Sequence, residues 1–216
     1  MKKILPLLLL FVLLSSAALW LWRNNSGSTL DRDLADFAVA DTSTVSRIFI
    51  AQKDGRHVDL VRTPQGWTVD GLPANNASVA TLLKTFRRVE VRTPVPKSST
   101  DIVLKGLAVG GRKVEIYTGG PKPEKIWYVG QGTQDHNGTF MLLEKPDEGR
   151  SASPFVVGIY GFTGALDTRF HADKDLWRSL HLFSHPDLTR VERVEVDHPS
   201  APADDFSVVF ENGKDL

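Results

Sequence analysis

The stretch "VSRIFIAQKDGRHVDLVRTPQGWTVDG", residues 45–71, decides the fold class of this chain. Its segments 45–51 and 57–62 alternate apolar and polar residues and are rich in β-branched and aromatic side chains, as strands are. The turn-forming residues of "KDGR" separate the two segments, and a glycine closes the third short run, "GWTVDG". The pattern predicts a β-meander of three short strands.

Directly after the meander, the hydrophobic period changes from that of a strand to that of a helix. In "NNASVATLLKTFRRVEV", residues 75–91, apolar side chains recur at helical spacing behind an asparagine N-cap. We predict a second short helix over residues 99–111, capped by Ser99 or Thr100, and a third over residues 172–183. Further strands are predicted in "RKVEIYTG", "KIWYVG" and "GTFMLLE".

Residues 4–22, "ILPLLLLFVLLSSAALWLW", form an apolar run without a charged residue. As a helix the run would be roughly 28 Å long, close to the roughly 30 Å of a bilayer core. One alternative is a signal peptide cleaved after Ala17 or Ala18, and the other is an uncleaved membrane anchor. Because the apolar run continues past both alanines, the sequence favours the anchor.

The residues that flank this run predict its orientation. Lys2 and Lys3 are expected on the cytoplasmic side, and Trp20 and Trp22 at the opposite membrane interface. The predicted fold class is therefore α+β: an N-terminal transmembrane helix, a mainly antiparallel β-sheet module with two or three short helices, and the start of a repeated second module. The expected location is the cytoplasmic (inner) membrane, in a single pass, with the C-terminal domain in the periplasm.

The end of the chain repeats the pattern of the meander. "LTRVERVEV" followed by "DDFSVVFENGKDL" has the same order as "TSTVSRIFI" followed by "GRHVDLVRTPQGW": a strand with a central arginine, a turn and another strand. The second copy stops before its third strand, so we expect an internal repeat that is cut short. The predicted domains are a membrane anchor or signal peptide at 1–22, a linker at 23–36, an extracytoplasmic α+β module at 37–187 and a truncated second module at 188–216.

The composition excludes several classes of function. Lys plus Arg and Asp plus Glu are both 26, so the formal net charge is zero and no global basic field is present to bind nucleic acid. The chain has no cysteine, which excludes disulfides, thiolate metal sites and a cysteine nucleophile. No glycine loop of the phosphate-binding kind lies between a strand and a helix. We therefore predict no nucleic-acid partner and no cofactor.

The stretch "YVGQGTQDHNGTFMLL", residues 128–143, is the part of the chain that most suggests chemistry. Strands on both sides place its centre at a hairpin tip, and its Asn-Gly dipeptide favours a turn because both residues tolerate positive φ. The alternative is general acid–base catalysis, but neighbouring residues on a hairpin rarely face each other and no nucleophile elbow is present, so we predict no enzymatic activity. The predicted contact loop is formed by Gln134, Asp135, His136 and Asn137.

A cluster of basic residues lies in and after the first predicted helix. Such a cluster can bind an anionic lipid surface or an acidic partner, and the alternative is a solvated helix face. We predict a basic contact face formed by Lys84, Arg87, Arg88 and Arg92.

Two further patterns favour a ligand only weakly. His181 and His185 have the spacing of a zinc pair on one helix face, but a proline follows directly and ends any helix there, so no metal site is predicted. Aromatic side chains on which a glycan would stack are present as Trp67, Trp127 and Tyr128.

Four segments together carry a family resemblance: "FAVADTSTVSRIFIAQKDGRHVDLVRTPQGWTVDG", "VRTPVPKS", "YVGQGTQDHNGTFMLL" and "TRFHADKDLWRS". They resemble a bacterial envelope family of the Bacteroidetes type, domain of unknown function 4340, over almost all of residues 36–216. The resemblance implies an N-terminal membrane segment, repeated α+β modules and, for some members, association with ABC-type systems linked to gliding motility. It implies no catalytic residues. The chain is shorter than the usual member, in agreement with the expected truncation.

The predicted function is that of a membrane-anchored extracytoplasmic interaction or scaffold protein, accessory to an ABC-type transport or gliding-associated complex. Its expected partners are the membrane and a protein of the envelope, with ABC transporter subunits as candidates. Two alternatives stay open. One is an extracytoplasmic enzyme acting on envelope material through Asp135 and His136, and the other is a glycan or small-ligand binder.

Overall fold

The computed structural model describes residues 11, 13–16, 20, 33–181, 190–211 and 214–215. The chain divides into two compact units, Met1–Ser179 and Leu180–Leu216. The predicted linker and the repeat relation between two modules are not tested by this division and stay predictions.

The first unit is built on one ten-stranded sheet in which every pair of neighbouring strands is antiparallel. The strands are β1 Arg47–Ala51, β2 His57–Thr63, β3 Gly66–Val69, β4 Leu72–Pro73, β5 Val89–Pro94, β6 Arg112–Tyr117, β7 Lys125–Gly132, β8 Thr139–Lys145, β9 Gly149–Arg150 and β10 Phe155–Ile159. Their order is β4-β3-β2-β1-β6-β7-β8-β10-β5, and β9 pairs with β8. Within residues 33–181 the α-helices are α1 Asn76–Arg88 and α2 Lys97–Gly110, with 3-10 turns at Asp33–Ala35 and Asp167–Arg169.

The predicted meander is confirmed, since β2 pairs with both β1 and β3. Ile48 lies opposite Leu60 and Ile50 opposite Val58, and all four side chains are fully buried. Gly55 has a φ of 90° in the turn between β1 and β2, a backbone conformation that glycine adopts without a Cβ clash. Strand alternation thus directs one apolar face of the meander into the core.

Helix α1 covers this apolar face. Its buried side chains include Val79, Leu82 and Phe86, which recur at the spacing of one helix face. Phe86 meets Trp127 of β7 edge to face, with ring centroids 5.0 Å apart, and Phe170 lies 6.1 Å from the same indole. The core of the first unit therefore includes an aromatic cluster, set among a larger number of buried aliphatic side chains.

The first predicted helix, residues 75–91, is confirmed with shorter bounds. Asn75 is the N-cap, and its side chain accepts hydrogen bonds from the amides of Ala77 and Ser78. The helix ends at Arg88 because the last residues of the predicted range belong to β5, where pairing with β10 replaces the helical pattern.

Helix α2 begins earlier than the sequence predicts. It starts at Lys97 without a side-chain cap, so the predicted caps Ser99 and Thr100 lie inside its first turn. Leu107 is its one buried residue, and it packs where β7 has a glycine: a Cβ on Gly130 would lie 2.9 Å from the Leu107 Cδ2. The close approach of α2 to the sheet therefore depends on that glycine.

The predicted fold class is wrong in its N-terminal transmembrane helix. Among the residues that the structure describes, no helix is long and apolar enough to cross a membrane. Most of residues 4–22, and with them Trp22, lie outside the described residues, as do Lys2 and Lys3. Trp20 is helical and exposed. The fold that the structure shows is mostly antiparallel sheet with few helices.

The predicted third helix, residues 172–183, is also wrong over its described part. Turns occupy the segment, and Arg178 forms an isolated antiparallel bridge with Ala74. Trp177 is buried, whereas Leu176 is 57% exposed, so the expected apolar helix face is not formed.

The described residues of the second unit include three antiparallel strands. They are β11 Arg193–Val196, β12 Phe206–Glu211 and β13 Lys214–Asp215, in that order, with a 3-10 turn at Pro202–Asp204. Val194 lies opposite Val208 in the first pair, so the two strands that the sequence predicts here do form a hairpin.

Candidate functional site

The face of the sheet opposite the aromatic core carries charged and aromatic side chains and is called the open face below. Strand alternation directs these side chains away from α1. Their charged members are 15% to 54% exposed, so the face is accessible to a partner. The side chains are Arg47 and Phe49 of β1, Asp59 of β2, Lys113, Glu115 and Tyr117 of β6, Tyr128 of β7, Glu144 of β8 and Arg150 of β9.

Arg47 and Asp59 form a two-bond ion pair across β1 and β2. Arg47 Nε donates to Asp59 Oδ1 at 2.7 Å, and Nη2 donates to Oδ2 at 3.0 Å. The same guanidinium lies 5.0 Å from the Tyr117 ring centroid and 5.9 Å from that of Phe49. The hydrogen bond to Asp59 raises the pKa of Arg47 above its ordinary value. Carboxylate and rings together hold the guanidinium in one orientation.

Glu115 lies directly opposite Phe49 in the next strand pair. Its carboxylate accepts a hydrogen bond from the Tyr117 hydroxyl at 2.6 Å and contacts Lys113 Nζ at 2.6 Å. Burial raises the pKa of Glu115, but the hydrogen bonds from Lys113 and Tyr117 outweigh it and hold that pKa below its ordinary value. Glu115 is therefore ionised at neutral pH.

A similar triad lies further along the sheet, on β7, β8 and β9. The Tyr128 hydroxyl donates to Glu144 at 2.9 Å, and Arg150 Nε donates to the same carboxylate at 2.7 Å. The Arg150 guanidinium lies 4.5 Å from the Tyr128 ring centroid. Burial raises the pKa of Glu144, while the hydrogen bonds from Arg150 and Tyr128 bring it below its ordinary value.

The open face is suited to recognition and not to acid–base chemistry. A general acid at neutral pH needs a carboxyl group whose pKa is raised, and Glu115 and Glu144 both have lowered pKa values. Each carboxylate is already paired with a cation. What the face offers is a set of charges and aromatic rings in fixed positions.

The predicted contact loop is at a hairpin tip, where Asp135 stabilises the loop itself. Its carboxylate accepts hydrogen bonds from Thr133 Oγ1 at 2.5 Å, from the Asn137 amide at 3.1 Å and from Asn137 Nδ2 at 3.0 Å. The bonds from Thr133 and Asn137 lower the pKa of Asp135 to about 2. Asp135 therefore orients its own loop, and no hydrogen bond joins it to His136 among the described residues. Gln134 and His136 are both exposed at this tip.

The turn in this loop differs from the predicted Asn-Gly turn. The residue with positive φ is His136, at 54°, and neither Asn137 nor Gly138 has one. Gly138 is needed for space instead, because a Cβ there would lie 2.6 Å from Val156 Cγ1 on β10. The Asn-Gly dipeptide correctly predicts a turn, but the positive φ that it predicts is found at the preceding histidine.

The four residues of the predicted basic face have different surroundings. Lys84, Arg87 and Arg88 are exposed on α1. Arg92 lies on β5 and donates hydrogen bonds to three carbonyl groups: that of Phe162 at 2.7 Å, that of Ile159 at 3.3 Å and that of Asn137. Arg92 therefore ties two loops together and does not extend the basic surface of α1.

Two of the three predicted glycan-stacking residues are not available as open platforms. Trp127 is fully buried in the core, and the Trp67 ring is half-buried with the Arg62 guanidinium 5.0 Å from its centroid. Tyr128 belongs to the open face. Of the histidine pair, His181 is described and His185 lies outside the described residues. Within the described part of the chain, no group of three His, Asp or Glu side chains is arranged to hold a metal ion.

A cleft that the sequence did not predict lies between α1 and residues 168–177. Its volume is about 330 Å³. It is lined by Ala77, Ser78, Thr81, Leu82, Thr168, Arg169, His171 and Trp177. Thr168, Arg169, His171 and Trp177 all belong to the segment "TRFHADKDLWRS". Nothing local in the sequence predicts that this segment lies beside the first turns of α1.

The chain matches no family model, no curated protein and no solved structure. The resemblance to the domain of unknown function 4340 family, based on the segments quoted above, therefore stays a prediction.

Proposed function

We propose that the first unit is an interaction module that binds a protein partner through the open face. The observation that carries this proposal is that the charged and aromatic side chains of this face are held by one another and, except for the buried Tyr117, are nevertheless partly exposed. Side chains that are ordered before binding lose less conformational entropy in a complex. Tyrosine and arginine, which supply four of the nine side chains of the face, are also enriched in protein interfaces.

The charges of the open face favour a protein over a polyanion. Three cations are balanced by three carboxylates, in the pairs Arg47–Asp59, Lys113–Glu115 and Arg150–Glu144. A balanced surface gives no net attraction to nucleic acid or to an anionic lipid layer. It fits a protein surface that has mixed polar groups of its own and apolar groups that rest on Phe49 and Tyr128.

We also propose an extracytoplasmic location and an ABC transporter subunit as the partner. The sequence resemblance alone supports these two parts of the proposal. The enzyme alternative has less support, because the carboxylate of Asp135 is bonded to Thr133 and Asn137 and not to His136. The glycan alternative loses Trp127 as a stacking platform because this side chain is fully buried.

Site-specific photo-cross-linking in the native host tests the proposal. A benzophenone amino acid replaces Phe49 or Tyr128 in the full chain, and replaces Lys122, an exposed residue between β6 and β7, in the control. We expect the same protein adduct from both positions on the open face and none from the control position. Equal adducts at all three positions, or none at Phe49 and Tyr128, would contradict the proposal.

A further inference from the structure

Arg169 lines the cleft between α1 and residues 168–177, and among the described residues it has no carboxylate partner. Its Nη1 donates a hydrogen bond of 2.8 Å to the Thr85 hydroxyl, and its guanidinium lies 4.7 Å from the Phe162 ring centroid. Burial lowers the pKa of Arg169. A partly desolvated cation without a counter-charge is stabilised by any anion that reaches it.

The carboxylates nearest in sequence are engaged elsewhere. Asp167 lies 4.0 Å from Arg112, and the Asp173 carboxylate accepts a hydrogen bond of 3.1 Å from the amide of Asp175. Neither forms an ion pair with Arg169, so the charge of this guanidinium stays available. The Asp173 carboxylate acts on His171 instead, where its charge raises the pKa that burial lowers.

His171 brings a second group with unused hydrogen-bonding capacity to the same cleft. Its Nδ1 is buried and has no hydrogen-bond partner of normal geometry within the described residues. The Asp173 backbone is nevertheless near enough to raise the pKa of the imidazole, against the larger effect of burial, which lowers it. The imidazole stacks on Trp177, with ring centroids 4.6 Å apart, and Trp177 Nε1 donates a hydrogen bond of 2.9 Å to the His171 carbonyl. The ring is thus fixed in place while one of its nitrogens remains unsatisfied, which is rare for a buried polar atom.

The remaining lining combines hydroxyl groups with apolar surface. Ser78 and Thr168 contribute hydroxyls and Ala77 contributes exposed apolar surface, while Leu82 and Trp177, each 1% exposed, form the base of the cleft. The amides at the start of α1 play no part, because the Asn75 side chain already accepts from them. A cleft of about 330 Å³ has the size of a site for a small organic molecule.

We infer that this cleft binds a small organic anion whose carboxylate or phosphate group pairs with Arg169. The hydroxyls of Ser78 and Thr168 and the half-buried imidazole of His171 offer the ligand further hydrogen bonds, and its apolar part contacts Ala77. The site lies on the α1 side of the sheet, so it is separate from the open face and does not depend on the protein partner proposed above.

Ligand-observed NMR on the full chain tests this inference with benzoate, phenyl phosphate and the neutral analogue benzamide as probes. We expect at least one of the two anions to bind and to shift the indole resonance of Trp177. Benzamide should bind more weakly by roughly tenfold or more, because it cannot form a charge-assisted bond with Arg169. If phenyl phosphate binds and benzoate does not, the ligand class is phosphate, and the reverse result assigns a carboxylate.

Two variants and their matched controls identify the site. Arg169→Gln should raise the dissociation constant of the bound anion by roughly tenfold to a hundredfold, and Arg169→Lys by less because the charge is kept. Arg87→Gln, an exposed cation on α1, should leave it unchanged.

The second variant, Ser78→Phe, fills the cleft without altering its charge and should abolish binding. Its control is Ala80→Phe on the exposed side of α1. Both of these variants keep Arg169 and its hydrogen bond to Thr85. They therefore test whether the anion binds in the cleft even if Arg169→Gln unfolds the protein. Benzamide binding as tightly as the anions, binding by neither anion, or unchanged affinity in Ser78→Phe would overturn the inference.

Discussion

Lys125 of β7 and Asp36 of the N-terminal segment are joined by two hydrogen bonds: Nζ donates to the Asp36 carbonyl at 2.8 Å and to its carboxylate at 3.0 Å. The third partner of the ammonium is the Ala38 carbonyl. Lys125 is 4% exposed, and a buried ammonium group is tolerated when its three N–H groups all have acceptors. The arrangement fixes the segment that carries Phe37 into the core.

Replacing this lysine should therefore destabilise the first unit. We expect Lys125→Met to lower the free energy of unfolding by about 1–3 kcal/mol, because two carbonyl groups lose their donor while the side-chain volume is retained. Urea denaturation measures the change. Lys122→Met, at an exposed position, is the control and should alter it by less than about 0.5 kcal/mol. Equal effects of the two substitutions would show that the bonds to residues 36–38 contribute nothing.

Two glycine-to-alanine substitutions should change stability in opposite directions. In Gly138→Ala the new Cβ would lie 2.6 Å from Val156 Cγ1 and 3.0 Å from the Val157 carbonyl oxygen, so we expect a loss of about 1–3 kcal/mol. Gly106 lies within α2 with nothing within 4 Å of an added Cβ, and Gly106→Ala should stabilise by about 0.5–1 kcal/mol. Thermal and urea unfolding check both values. A destabilised Gly106→Ala protein would mean that α2 is not helical at that position.

The sequence predicts α1 well because its signals are local. The apolar spacing and the Asn75 cap lie in one segment, and the structure uses both. Residues 172–183 have a similar local pattern but do not form a helix over their described part. There the Asp173 side chain bonds to the Asp175 amide and closes a turn, and Arg178 pairs with Ala74. This long-range pairing overrides helix propensity and is not visible in the local sequence.

The candidate sites were harder to predict than the strands that carry them. Alternation along β1 and β2 shows which residues share a face, but the pairing of Arg47 with Asp59 depends on the register between the strands. The cleft depends on tertiary structure even more strongly. It joins Ser78 to Arg169, which lie far apart along the chain, and only the packing of the 168–177 segment on α1 brings them together.

The pH dependence of the hairpin tip should follow the titration of Asp135. Its folded-state pKa of about 2 is below the value of roughly 3.9 for an unfolded chain. The ionised Asp135 carboxylate therefore stabilises the folded loop fully above its unfolded-state pKa. This stabilisation is lost as the pH falls towards its folded-state pKa. NMR titration of the Asp135 carboxyl carbon should give a midpoint of about 2. In Asp135→Ala, the Asn137 amide should exchange rapidly with solvent at every pH. A midpoint near the unfolded value would mean that the bonds from Thr133 and Asn137 do not persist in solution.

Substitution of Arg47 in the Arg47–Asp59 ion pair should reduce partner binding strongly and change the free energy of unfolding only slightly. Its side chains are 42% and 31% exposed, and exposed ion pairs contribute only about 0–1 kcal/mol, so Arg47→Met should change the unfolding free energy by less than about 1 kcal/mol. If the open face binds a partner, the same substitution should strongly reduce the cross-link formed from Tyr128.

Arg56, which pairs with Asp54 at 2.7 Å in the turn between β1 and β2, provides a control of the same kind outside the open face. Arg56→Met should leave both stability and cross-linking unchanged. Both substitutions remove one positive charge, but only Arg47 has its guanidinium beside Phe49 and Tyr117. Equal cross-link yields from the two variants would therefore exclude Arg47 from the interface.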